Sequence, residues 1–512
     1  MPPTVALNPC PAPVHVRRGA SASYERGRPE DSALHQVLQA HLATFLSTAA
    51  EVADGSGVPR FVQKELRGFL DCGVIARGLI RLHCGGCGHD QVIGLSCKGR
   101  GFCPRCGGRR MTETAAHLVD HVIPRVPVRQ WVLTVPHRLR YRIGYDHDLC
   151  KRFLRALCRE LSTYYRNKSG HAEGQTGSVT FIQRFNSGLA LSPHFHLLAL
   201  DGVFVEDAEH GLRFVEVSEP STLDVAEIVS AVHARIGRVL RRLGLEEPEQ
   251  DSDELASDSP VLAACYAGSV TRRTALGPNA GKRVVKLGAV PNAPWVDVER
   301  ARHSHYEGFD LHADVALGAH DRQGLEQVLR YGARPAVASD RLRFTADGRV
   351  ALTLKRRYHD GTTHLIFEPM TFIERLAALV PRPNKNLVIY SGVLAPNAKL
   401  RSKVVTYGSS PEPVQPPAVP EAERMADPPR ASQSQGTTAA KRSRPNYAWA
   451  DLMRRSFGVD VLECPRCGGR LKLLAAVMSP SAVRAILASL RLPTEAPDLR
   501  PARAPPEQFE SA

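Results

Sequence analysis

Eight of the twelve cysteines sit in close pairs or in one short block, and this constrains the fold more than any other feature. Cys84-x2-Cys87 and Cys103-x2-Cys106 are fifteen residues apart, Cys72 and Cys97 lie in the same block, and Cys464-x2-Cys467 follows far downstream. The N-terminus lacks the apolar core of a signal peptide, so close CxxC pairs read as metal sites in a reducing compartment rather than as a disulfide framework. Each CxxC turn offers two thiolates, and two facing turns complete the tetrahedron of a ribbon-type site. The expectation is therefore one structural Zn2+ held by Cys84, Cys87, Cys103 and Cys106. Such a site contributes on the order of 10 kcal/mol, so residues 72–106 are expected to lose their order when metal is removed.

A rival partition takes Cys103, Cys106, His117 and His121 as C-x2-C-x10-H-x3-H, although its central gap is shorter than a zinc finger's usual length. Cys72 and Cys97 are left over as alternative ligands, supporting thiols or plain buried thiols. Cys464-x2-Cys467 is half a site, and a metal there would need ligands from elsewhere in the chain or from another chain. Cys10, Cys150, Cys158 and Cys265 are scattered and read as ordinary buried or free thiols.

At 512 residues the chain is too long for one domain, and 43% hydrophobic with 23% charged residues is a globular balance. No apolar run reaches the roughly 18 residues of a membrane span. The excess of 67 Lys+Arg over 52 Asp+Glu gives +15 and a pI of about 9.4, which favours polyanionic partners, nucleic acid first.

The organisation expected along the chain is α+β. Residues 1–30, rich in Pro, Arg and Ser, read as a disordered tail. A helical and zinc-binding domain spans 31–121: Ser32 caps a helix carrying Leu34, Leu38, Leu42, Phe45 and Leu46, a second helix covers 61–70, and a third runs from Arg109-Arg110 to about His121. A larger domain spans 125–405, with strands at 129–135, 178–183, 194–200 and 309–317 and alternating strands across 349–367. Its helices are expected at 147–166, at 225–243, and from the Asp321 cap to Tyr331; 246–258 reads as an acidic insertion loop. Residues 406–445 read as a disordered linker, 446–493 as a small CxxC module and 494–512 as a disordered tail.

His194-Phe195-His196 heads an apolar run. On a strand, residues i and i+2 share a face, so both imidazoles point one way. Such a pair can hold Mn2+ or Zn2+, whereas Mg2+ prefers oxygen and needs a carboxylate or water besides. Asp201 and Glu206 are the nearest acidic candidates for a third ligand, and the bland alternative is two satisfied core histidines.

Tyr331 closes a short helix on which Leu325, Val328 and Leu329 supply the buried side, leaving Gln327 and Tyr331 on one exposed face. A phenol ordinarily ionises near pKa ~10, and a metal that polarises a scissile phosphate offsets that weakness. Arg330 and Arg334 are placed to steady phosphate charge. Lys98, Arg100, Arg105, Arg109 and Arg110 crowd the cysteine block and suit phosphate contacts. Tyr164 and Tyr165 are alternative nucleophiles, but neighbours on a helix point about 100° apart and cannot both address one metal.

These residues carry a resemblance. The chain is similar to the HUH-type rolling-circle transposases of bacterial insertion sequences, the insertion-sequence 91-like and common-region branch. The likeness runs through SCKGRGFCPRCGGRRM, VRQWVLTVPHRLRYR, FIQRFNSGLALSPHFHLLALDGVF, LRYGARPAVASDRL, DGTTHLIFEPMTFIERLAALVPRP and FGVDVLECPRCGGRL, in that order. It implies a nuclease domain whose antiparallel sheet, flanked by helices, carries the histidine pair on a central strand below the tyrosine's helix.

By the same resemblance, His194 and His196 bind a catalytic Mg2+ or Mn2+, and Cys84, Cys87, Cys103 and Cys106 match cysteines of the zinc-binding domain. Tyr331 matches the nucleophile that forms a 5′-phosphotyrosine on single-stranded DNA. Two-tyrosine members carry a second tyrosine four residues before this one; Gln327 stands there, as in the single-tyrosine subgroup. The implied partners are single-stranded element ends, a second copy of the chain and host replication machinery, at a cytoplasmic, nucleoid-associated location. A plasmid replication initiator or relaxase with the same chemistry, and a non-catalytic zinc-dependent DNA-binding protein, are the competing readings.

Overall fold

The computed structural model describes residues 26–52, 55–245, 253–290, 300–408 and 447–503. Most of the expected N-terminal tail, residues 246–252 of the acidic stretch, the linker from 409 and the last residues from 504 lie outside these, as does Cys10.

The first domain opens with α1 (Ala33–Val52) and α2 (Arg60–Leu70). Ser32 Oγ accepts the His35 amide at 3.2 Å, which satisfies one of the free donors at the start of α1. Leu34, Leu38, Leu42 and Phe45 are buried along one stripe. An antiparallel hairpin follows, β1 (Leu79–Cys84) and β2 (Asp90–Gly94), and then α3 (Pro104–His121). α3 starts earlier than the sequence pattern indicates: Pro104 occupies its first turn, where a missing N–H costs nothing. Cys106, Arg109 and Arg110 are thus helical.

The stretch expected as the larger domain runs through β3 (Val128–Thr134), α4 (Arg140–Tyr145), α5 (His147–Ser169), β4 (Gly177–Phe185), β5 (Leu191–Leu200), β6 (Gly202–Asp207), β7 (Gly211–Glu216) and α6 (Thr222–Arg242). It continues with α7 (Glu254–Asp258), α8 (Pro260–Thr271), β8 (Val285–Leu287), β9 (His303–Tyr306), β10 (Phe309–Leu317) and α9 (Arg322–Gly332). β11 (Leu342–Phe344), β12 (Val350–Thr353), β13 (His364–Phe367), α10 (Pro369–Leu379), β14 (Val388–Gly392) and α11 (Arg401–Val405) complete it.

Its main sheet has the order β14-β4-β5-β3-β10-β9, antiparallel throughout, so β5 is interior. A second antiparallel sheet, β11-β12-β13-β8, has strands that alternate along the chain with those of the main sheet, and β6-β7 form a hairpin. The period of two divides β5 between two cores. Phe195, Leu197 and Ala199 join Trp131 and Leu133 against α5 and α6. Leu198 and Leu200 face the other way, with Phe181, Leu325 and Leu329. The histidines share that second face, on the side of α9.

The C-terminal residues form α12 (Trp449–Phe457), β15 (Leu471–Val477) and α13 (Pro480–Ser489). They are not a separate module: β15 pairs antiparallel with β1, from Leu79 opposite Val477 to Cys84 opposite Leu471, giving the sheet β15-β1-β2. Val483 and Leu487 of α13 pack on Ile75, Leu79 and Val92. The described part of the expected 494–512 tail also departs from that expectation, because the Arg500 amide donates to Gln39 O and the Arg503 amide to Thr44 Oγ1 on α1. The described N- and C-terminal segments pack together. Among the described residues no helix is long and apolar enough to cross a membrane.

Candidate active site and metal centres

β5 and α9 bring the histidine pair and Tyr331 together. The His194 and His196 ring centroids are 5.0 Å apart, and the Tyr331 ring stands edge-on to His196 at 5.6 Å. Asp321 caps α9 by accepting the Gly324 amide at 2.8 Å, and buried Leu325 and Leu329 fix the helix on the sheet. That leaves Tyr331 49% exposed, and Gln327 is exposed one turn earlier. Gly332 lets the helix end approach β4 closely, since a Cβ there would lie 2.7 Å from the Phe181 ring. Gln183, opposite His194 in the β4–β5 register, donates from Nε2 to the carbonyls of Tyr331 at 3.1 Å and Gly332 at 2.8 Å.

The donor atoms suit a divalent cation. His194 Nδ1 donates to Ser192 O at 2.8 Å, which leaves the Nε2 lone pair free. His196 Nδ1 lies 3.4 Å from the Gln130 amide, and its buried Nε2 has no hydrogen-bond partner. With the Gln130 amide presenting its oxygen, the other of its two flip states, Nδ1 carries the proton and Nε2 can ligate. Burial holds His194 down at about 4 and His196 at about 3, so both rings are neutral near pH 7. Gln183 Oε1, also buried, is likewise without a partner.

The acidic residues considered as third ligands are engaged elsewhere. Asp201 is buried against Arg129 at 2.9 Å and accepts from Tyr165 Oη at 3.0 Å, and Glu206 pairs with Lys403. Among the described residues no His, Cys, Asp or Glu completes a set of three with the histidine pair.

The remaining sequence candidates divide by position. Arg334 stacks over the Tyr331 ring at 4.5 Å. Arg330 instead turns away, donating to Ser456 O at 3.2 Å beside Glu326. Lys355 lies over the Tyr331 ring at 5.9 Å, and burial with Arg334 and Arg341 nearby lowers its pKa. Arg140 is close enough to His194 to disfavour its charged form. Lys355 and Arg140 were not singled out from sequence; only the fold brings Lys355 to the tyrosine and Arg140 towards His194. Lys98, Arg100, Arg109 and Arg110 are exposed around the start of α3, while Arg105 folds over Gly73. Tyr164 and Tyr165 are buried on the opposite face of the sheet, where Tyr165 accepts from Trp131 Nε1 at 3.0 Å. Neither phenol faces the histidines.

The cysteines gather in two groups rather than the single expected one. Cys72, Cys97, Cys103 and Cys106 form the first and Cys84, Cys87, Cys464 and Cys467 the second, with all sulfurs of a group within 4.8 Å. Sulfur separations of 3.5–3.7 Å match the edge of about 3.8 Å that Zn–S bonds of about 2.3 Å imply. The expected set of Cys84, Cys87, Cys103 and Cys106 fails because the spacer is a hairpin. Cys84 and Cys87 sit at its tip, and β2 carries the chain back about 16 Å over five residues before Cys97 and Cys103. The alternative with His117 and His121 does not form either; those rings lie 5.7 Å from each other, and His121 meets Tyr447. Backbone amides of Cys87 and Gly86 hold the Cys84 thiol down at about 6.

Two stretches of the chain match known protein families. Residues 37–135 match the transposase zinc-binding domain of the insertion-sequence 91 type, and residues 177–402 match the Y2_Tnp transposase family. The first match contains six of the clustered cysteines, and the second contains His194, His196 and Tyr331. No curated protein and no solved structure matched the chain. A match to the transposase zinc-binding domain followed by a match to the transposase family is consistent with an insertion-sequence 91-like transposase.

Proposed function

We propose that the protein nicks and rejoins single-stranded DNA at the ends of a mobile element through a 5′-phosphotyrosine on Tyr331. The observation that carries this reading is the exposed Tyr331 phenol standing edge-on to His196, on the face of the sheet that also presents His194.

Tyr331 Oη attacks the scissile phosphorus, losing its proton; the Oη–P bond forms, the P–O3′ bond breaks and the departing 3′-oxygen takes a proton. Attack by a 3′-hydroxyl on the phosphotyrosine reverses these bonds, rejoins a strand and frees Tyr331. Arg334, Lys355 and Arg140 supply positive charge where phosphate oxygens must sit. A divalent cation, Mg2+ or Mn2+, would polarise the scissile phosphate, with His194, His196 and Gln183 Oε1 as the donors that would hold it. Gln183 at the same time anchors the end of α9, and Gln130 orients His196. With Gln327 in place of a second tyrosine, the second strand transfer falls to a recycled Tyr331 or to another subunit.

The test is an adduct assay: protein with Mn2+ or Mg2+ and labelled single strands from both element ends, resolved on a denaturing gel. A metal-dependent covalent adduct is expected, and Tyr331→Phe and His194→Ala should each abolish it while DNA binding persists. An adduct surviving Tyr331→Phe would refute the assignment. Cleavage confined to a plasmid origin or transfer site would point to the replication or relaxase reading.

A further inference from the structure

We propose that Cys84, Cys87, Cys464 and Cys467 bind a second structural zinc ion, which locks the C-terminal segment onto the N-terminal domain and closes the chain end to end. The zinc-binding match ends at residue 135, so Cys464 and Cys467 lie outside it. Cys84 Sγ is 3.6 Å from Cys467 Sγ, and Cys87 Sγ is 3.7 Å from Cys464 Sγ.

The two halves have the same backbone. In each, the glycine after the second cysteine is left-handed, Gly88 at φ +70° and Gly468 at +69°. In each, that glycine's amide donates to the carbonyl of the first cysteine at 2.9 Å. The first cysteine's amide in turn bonds a carbonyl just beyond the turn, Cys84 to His89 at 2.9 Å and Cys464 to Gly469 at 2.7 Å. Two matching turns that face each other sulfur to sulfur are the construction of a ribbon-type zinc site. A ligand set of four thiolates with no oxygen selects zinc over Mg2+ or Ca2+.

The segment needs such a lock. Its buried apolar residues are few: Leu452, Val459, Val461, Leu471, Val483 and Leu487. A core this small rarely holds without a metal or a disulfide. β15 and α13 lean on the first domain, and the metal would sit where β15 begins, opposite the tip of the β1–β2 hairpin.

Zinc can be counted by native mass spectrometry of the full chain. Cys464→Ser/Cys467→Ser is expected to carry one zinc ion fewer than the unmutated protein; an equal count overturns the proposal. A second measurement does not depend on how the variant folds. Cys467 is exposed, so an unliganded thiol there reacts readily with iodoacetamide. In the zinc-loaded, unmutated protein Cys467 is expected to be protected together with Cys84, Cys87 and Cys464 until a chelator is added. Rapid alkylation of Cys467 in the zinc-loaded chain overturns the site.

Discussion

Gln183 joins the two halves of the candidate active site with one neutral amide. Its nitrogen holds the carbonyls at the end of the helix that carries Tyr331, and its buried oxygen has no partner. Leaving such an oxygen unsatisfied costs about 1–3 kcal/mol, which a bound cation would relieve. Gln183→Leu is therefore expected to weaken Mn2+ binding to the free protein by about tenfold or more, whereas Gln183→Glu, which keeps an oxygen and adds charge, should bind at least as tightly. Calorimetric titration with Mn2+ reads this without DNA, and wild-type affinity in the leucine variant would remove Gln183 from the ligand set. The shared face of the histidines and the exposed face of Tyr331 were legible in the sequence because periods of two and of 3.6 place them locally, whereas their joining in one site came with the resemblance. Gln183 was not, since it reaches the site through cross-strand register. Proximity in sequence pointed to Asp201 and Glu206 instead, but Asp201 has the strand parity of Phe195 and so faces the other core.

At the scale of elements, amphipathic segments were the readable ones. β10 spans the expected 309–317, and α9 keeps its Asp321 cap and its apolar stripe. α10 is buried from Thr371 to Leu379 and α8 is buried on most sides, so neither leaves a polar stripe to mark it as a helix. The hexapeptide CPRCGG shows the limit of local reading. At Cys103 it opens α3, ahead of the helix-forming RRMTETAAHLV; at Cys464 it is a turn ahead of the strand RLKLLAAV. Helix α9 also depends on a contact that its own pattern does not reveal, the approach of Gly332 to Phe181. Gly332→Ala puts a methyl 2.7 Å from that ring, and because the ring is itself buried, helix or ring must shift. A loss of about 1–3 kcal/mol is expected in urea unfolding, with adduct formation falling further than stability alone explains and zinc content unchanged. A fully active, fully stable variant would show that the helix end has room to move.

Over the whole molecule, the returning C-terminal segment reaches α9, the element that carries the proposed nucleophile Tyr331. Arg455 on α12 bonds Asp120 of α3 at 2.6 Å and Glu326 of α9 at 2.8 Å, Tyr447 Oη donates to Asp120 at 2.8 Å, and Arg330 of α9 donates to Ser456 O. One guanidinium thus ties α3, α9 and the C-terminal α12 together. Two carboxylates beside it, Glu326 nearly buried, depend on its charge. Nothing in the linear sequence marks this junction, because its three members are separated by more than a hundred residues at each step and use ordinary surface residue types. Arg455→Ala leaves Glu326 without its shortest partner, and Arg330, its neighbour at 4.0 Å on the same helix, is then drawn toward it and away from Ser456. If the junction sets the pose of α9, the variant should lose adduct formation several-fold while its zinc count and its affinity for single-stranded DNA, read by fluorescence anisotropy, stay as they were. An unchanged rate would mean that α12 merely covers the helix, and that the sheet, Gln183 and Gly332 suffice to aim Tyr331.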